Sequence, residues 1–149
     1  MSGCYSFTGG AIPEHLSTIY IAPVTDNSGF GNPQYREDLY SFLLEEFRQD
    51  GSFEIADNGG DARLEITISN ISEESIAVTQ NELESERKVQ VTCKVEYFDN
   101  IKNKMLLEKS FSNYEVYDVN ASTNARDQAV RDAIDQLSED ILLGVVSGW

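Results

Sequence analysis

The stretch Val89-Gln90-Val91-Thr92-Cys93-Lys94-Val95-Glu96-Tyr97 decides the fold. Its odd positions are apolar or weakly polar and its even positions polar, a period of two that puts one face of a strand in a core and the other in water. Cys93 falls on the apolar side, where a free thiol behaves as a small hydrophobe. Upstream, Leu64, Ile66 and Ile68 alternate in the same way with Glu65, Thr67 and Ser69. The phase slips near Asn70-Ile71 and recovers at Ile76 and Val78, which predicts a bulge inside one long strand. Downstream, a turn around Asn100 to Asn103 leads into Met105, Leu107 and Phe111. Together these segments predict an antiparallel meander with one buried face.

Two amphipathic helices are available to cover that face. Asn32 and Pro33 suit a helix start, Tyr35, Leu39, Phe42, Leu43 and Phe47 recur at helical spacing, and Gly51 stands at the end as a C-cap. A second helix begins near Ser122-Thr123-Asn124 and carries Ala129, Val130, Ala133, Ile134, Leu137 and Ile141 as its apolar stripe. Thr18 to Val24 and Phe53 to Ala56 read as shorter strands. The expected fold is therefore α+β, a two-layer sandwich with a mainly antiparallel or mixed sheet of about four to five strands, covered on one face by two helices. Leu39, Phe42, Phe47, Ile134 and Leu137 are expected to meet Leu64, Ile66, Val91, Val95 and Phe111. No repeat or linker interrupts the 149 residues, which predicts one domain over 1–149 with 1–17 as an N-terminal tether.

The chain carries 26 acidic and 11 basic residues, a formal net charge of −15, which is the wrong sign for a nucleic-acid partner. Six of the basic residues (Arg87, Lys88, Lys94, Lys102, Lys104 and Lys109) fall between 87 and 109, where only Glu96, Asp99 and Glu108 oppose them. Catalytic parts are scarce. The single histidine, His15, precedes the first strand with no orienting partner visible in the sequence, and it reads as a surface residue. Zinc ligand sets and Cys–His pairs lack a second histidine, and no glycine pair stands in a phosphate-loop context. Glu73, Glu74, Glu82, Glu84 and Glu86 read as a solvated hairpin rather than a calcium loop. Neither an enzyme, a metal nor a cofactor is expected.

Ser2-Gly3-Cys4 fits the end of a lipobox, the signal after which a cysteine is acylated, and an export segment is expected to precede it. Cys4-Tyr5-Ser6-Phe7-Thr8-Gly9-Gly10, followed by Ile12-Pro13-Glu14-His15 and Thr18-Ile19-Tyr20-Ile21, resembles the mature start of the lipopolysaccharide-assembly lipoproteins, the LptE family. The resemblance runs on through the Asn32-Pro33 helix, Phe53-Glu54-Ile55-Ala56, Leu64 to Ile68, Ala77-Val78-Thr79, Val89 to Phe98, Lys109 to Ser112 and Ser147-Gly148-Trp149.

That resemblance implies a lipid anchor at Cys4, placement on the periplasmic face of the outer membrane, and a seat in the lumen of an LptD-type β-barrel that delivers lipopolysaccharide. Tyr5 after the cysteine favours outer-membrane sorting. With lipid A phosphates as the implied ligand, Lys88, Lys94, Lys102 and Lys104 are the candidate binding residues, set to converge on one edge of the sheet. The segment from Thr18 to Ala56 also resembles the α/β modules of TolB-like and CsgG-like envelope proteins. Those dock proteins or build oligomeric secretion assemblies.

Overall fold

The computed structural model describes residues 12–78 and 84–147. In chain order the elements are β1 (Thr18–Ile21), β2 (Thr25–Asp26), α1 (Gln34–Asp50), β3 (Glu54–Ala56), β4 (Ala62–Val78), β5 (Glu84–Asp99), β6 (Lys104–Asp118) and α2 (Ala125–Ser147). They build an α+β fold with a mixed six-stranded sheet in the order β3-β1-β4-β5-β6, and β2 pairs with β4 beside β1. The parallel pairs involve only the short strands, while β4, β5 and β6 form the antiparallel meander. Parallel neighbours need a crossover, and α1 supplies it between β1 and β3.

The strand count exceeds the expected four to five because Thr18 to Val24 does not run as one strand. Pro23 has no N–H to give, so pairing lapses and resumes two residues later as β2. The predicted bulge is present as a register shift between Ile68 and Asn70. Before it, Leu64, Ile66 and Ile68 point at the helices; after it, odd residues do, beginning with Ile71 opposite Val91. The phase does not return at Ile76, which is 46% exposed and is itself skipped by a further register shift between Ser75 and Ala77.

Element lengths explain why. Strands of 17, 16 and 15 residues reach roughly 50 Å or more. The 17-residue α1 spans only about 26 Å and the 23-residue α2 about 35 Å. The helices cannot cover the whole sheet, so the far end of the meander overhangs them.

Under the helices the core is continuous. Leu39, Leu43 and Phe47 of α1 and Ile134, Leu137 and Ile141 of α2 are buried with Leu64, Ile66, Val91, Cys93 and Val95. Phe42 departs from expectation and is only partly buried. The α1 stripe runs 35-39-43-47 at i+4 steps, which leaves Phe42 on its shoulder. Two glycines set close approaches. A Cβ on Gly60 would lie 2.8 Å from the Tyr20 backbone nitrogen, and one on Gly144 would lie 2.8 Å from Cζ of Phe111, where α2 crosses β6.

Candidate functional site

The face of the meander turned away from the helices carries the candidate lysines. Lys88 and Lys94 stand on β5 among Gln90, Thr92 and Glu96, with Glu108, Ser110, Ser112 and Tyr114 beside them on β6. Lys94 Nζ lies 3.5 Å from Glu108 and 3.9 Å from Glu96, so its charge is already answered. Lys88 Nζ sits 4.4 Å over the Tyr114 ring. Lys102 lies in the β5–β6 turn and Lys104 opens β6, paired in register with Asp99. Six residues of strand separate Lys88 from Lys94, about 20 Å, and five more separate Lys94 from the position opposite Lys104, about 17 Å. Lys102 and Lys104 are neighbours, but the four cations are strung along the hairpin rather than gathered at one point. Cys4 lies outside the described residues, as does Glu82.

The sequence reading missed a polar seam where the N-terminal segment meets the fold. His15 Nε2 lies 2.6 Å from Oδ2 of Asp99, whose side chain is fully buried. The other oxygen of Asp99 accepts the backbone N–H groups of Ile101 (3.0 Å) and Lys102 (2.9 Å). Burial pushes this carboxyl up, but the Lys102 amide, His15 and the Ile101 amide outweigh it and hold Asp99 below its ordinary 3.8. Nearby, Asp61 accepts the N–H of Ser17 at 2.9 Å and of Thr18 at 3.3 Å, and its own N–H donates to Thr18 Oγ1 at 2.8 Å. The histidine thus has an orienting carboxylate after all, one that pins the segment before β1 to the β5–β6 turn. The Asp99-Asn100 pair in the turn was the available signal. It did not name a partner 84 residues away.

At the overhanging end, Glu73 is the centre of a second network. It accepts from Tyr117 Oη at 2.7 Å and lies 3.7 Å from Arg126 and 3.8 Å from Arg87. Burial first, then the Glu73 carboxylate, pushes the Tyr117 hydroxyl up to about 12. Glu73 is therefore not solvated in a hairpin as expected but mostly buried, tying β4 to β5, β6 and α2. Between the helices, Glu46, Asp135 and Glu139 bring their oxygens within 4.8 Å of one another. Burial, followed by the charges of Glu139, Asp135 and Glu45, raises the Glu46 pKa. No described helix is long and apolar enough to cross a membrane.

Comparison with known proteins follows the architecture. Lipoprotein B from Nitrosomonas europaea is 13% identical, with a TM-score of 0.67 over 99% of this chain and 92% of that one. The rare lipoprotein B from Shewanella oneidensis is 12% identical, with a TM-score of 0.62 over 87% and 95%. A minor lipoprotein from Acinetobacter baumannii is 14% identical, with a TM-score of 0.61 over 90% and 95%. At such identities the likeness establishes the fold alone. No curated protein matches the chain at a significant level. The family model described as Lipopolysaccharide-assembly, LptE, matches residues 16–143, and the chain belongs to that family.

Proposed function

We propose that this protein is a non-enzymatic lipoprotein of the outer membrane that partners an LptD-type β-barrel in moving lipopolysaccharide to the outer leaflet. The observation that carries the reading is the family match from 16 to 143, which takes in every described strand and nearly all of α2. In this reading the chain is one domain over 1–149. Cys4 carries the lipid anchor, and residues 1–17 tether it to the helix-and-sheet body. More than one acyl chain is required, since a single chain binds a bilayer only marginally. The seam of His15, Asp99 and Asp61 supports this arrangement, because it fastens the tether to the sheet at one defined place.

Lys88, Lys94, Lys102 and Lys104 are the candidate contacts for lipid A phosphates, which lysines meet as point charges. Lys102 and Lys104 suit the role best, having no carboxylate ion pair among the described residues, whereas Lys94 is held by Glu96 and Glu108. Affinity purification from native outer membranes tests the partnership: a co-purifying, heat-modifiable barrel is expected, and its absence removes the reading. Mass spectrometry of the exported protein is expected to find Cys4 acylated. Changing the four lysines to glutamine is expected to weaken lipopolysaccharide binding at moderate salt, and unchanged binding would assign them to solubility.

A further inference from the structure

The β6 strand is the edge of the sheet, bonded among the described residues only on its β5 side. Long edge strands are usually guarded by proline, by bulges or by a covering element. β6 is 15 residues long and has no proline. Its pairing with β5 runs without a register shift from Leu107 to Asp118. Its outer backbone groups therefore form a regular row over that stretch, broken by neither proline nor bulge.

Beside the last part of that row lies a groove of about 260 Å³, lined by Glu115 to Asp118 on the strand side and by the start of α2 on the other. The wall on that side carries small residues, Ala121 in the connection and Ala125 and Ala129 on α2, and so leaves room beside the strand. Three carboxylates, Glu115, Asp118 and Asp132, line the same groove. Their hydrogen bonds come from neutral donors, the Gln136 amide, the Asn120 backbone and the Gln128 amide. No cation among the described residues pairs with them. Other carboxylates near α2 do meet cations, as Asp38 meets Arg131 and Glu73 meets Arg126. On the opposite face of the same strand, Tyr114 and Val116 are 54% and 42% exposed.

We propose that the β6 edge and the start of α2 form a docking groove for an extended strand of a partner protein. This strand carries lysine or arginine on the side facing α2 and apolar residues on the alternate side, and it adds to the sheet by backbone pairing. A strand seated about 4.8 Å from β6 alternates its side chains between the two faces. One set then meets Glu115 and Asp132, and the other meets Tyr114 and Val116. A second copy of this chain is disfavoured as occupant, because it brings the same carboxylates and a net charge of −15. The groove rests on its own geometry and not on the assembly role.

The test uses the full chain and a blocked octapeptide alternating lysine and valine as probe, followed by backbone amide NMR. Shifts concentrated on β6 are expected, together with loss of binding when alternate peptide nitrogens are methylated. The joint change Glu115→Gln and Asp132→Asn is expected to weaken binding roughly fivefold, as for two exposed ion pairs. Ala125→Leu is expected to close the groove while leaving thermal unfolding unchanged. Equal binding of the methylated peptide, shifts centred elsewhere, or no shift at millimolar probe would overturn the proposal. So would a probe-free dimer whose interface maps to β6, since a second copy would then be the occupant.

Discussion

The two ends of the meander are made from the same three strands and behave as different materials. At the covered end, Leu64, Ile66, Val91, Val95 and Tyr97 lie under two helices and polar groups are few. At the overhanging end, the side of the sheet that faces the helices carries Glu73, Arg87 and Tyr117, and cohesion comes from ion pairs and one short hydroxyl–carboxylate bond. The β5–β6 pairing runs from the overhang to Tyr97 and Leu107 without a register shift. The difference therefore lies in what lies against the sheet, and β-propensity alone does not make a core. A pleated strand becomes interior only as far as a helix is long enough to cover it.

Truncation should separate the ends most sharply. Leu137→Ala, beneath α2, is expected to cost about 2–5 kcal/mol in denaturant unfolding. Ile76→Ala, on the overhang, is expected to change stability by no more than about 0.5 kcal/mol. Similar losses at the two positions would break the comparison. Gly60→Ala probes the covered end differently. The added methyl would meet the Tyr20 nitrogen at 2.8 Å and the Ala62 oxygen at 3.1 Å, both backbone atoms that cannot swing aside. A loss of about 1–3 kcal/mol is expected, as for overpacking.

At the overhang, Glu73→Gln keeps an acceptor for Tyr117 but removes the charge facing Arg87 and Arg126. A smaller loss of about 1–2 kcal/mol is expected. Hydrogen exchange should quicken around Glu73, Arg87 and Tyr117 and stay slow near Val91 and Val95. Uniform quickening would show that the two ends open as one unit.

The smallest effect concerns the N-terminal seam and is a matter of pH. The folded pKa of Asp99 lies below its unfolded value, so its stabilisation is present above the ordinary 3.8 and is lost as the pH falls through the folded value. Thermal midpoints measured below about pH 4 should therefore fall less steeply in Asp99→Asn than in the parent chain. Parallel curves would remove Asp99 from the account.

Period-two patterning made the meander, the bulge after Ile68 and the buried side of β5 legible in the sequence, because alternation reports burial directly. Helical spacing gave both helices, though not the shoulder position of Phe42, which depends on how α1 leans against α2. The overhang was not legible: it follows from the relative lengths of packed elements, and Ile76 reads as core until those are known. The family was readable from the order of segments. The seam was not, because the His15–Asp99 contact joins positions 84 apart, and no local pattern encodes it. The lysines were visible as a run, but a run along a strand is extended in space. The groove beside β6 escaped notice because alanines in a helix read as ordinary helix formers.

Cys93 sits in the middle of β5, fully buried, its thiol pushed up to about 12 by burial and then by the Asp26 charge. The thiolate is the reactive form, so the folded protein keeps this sulfur chemically silent. A silent sulfur at the centre of the sheet is a built-in clock. In a Cys4→Ala background, the rate at which an alkylating reagent claims Cys93 counts how often the helices lift far enough from the strands to admit it.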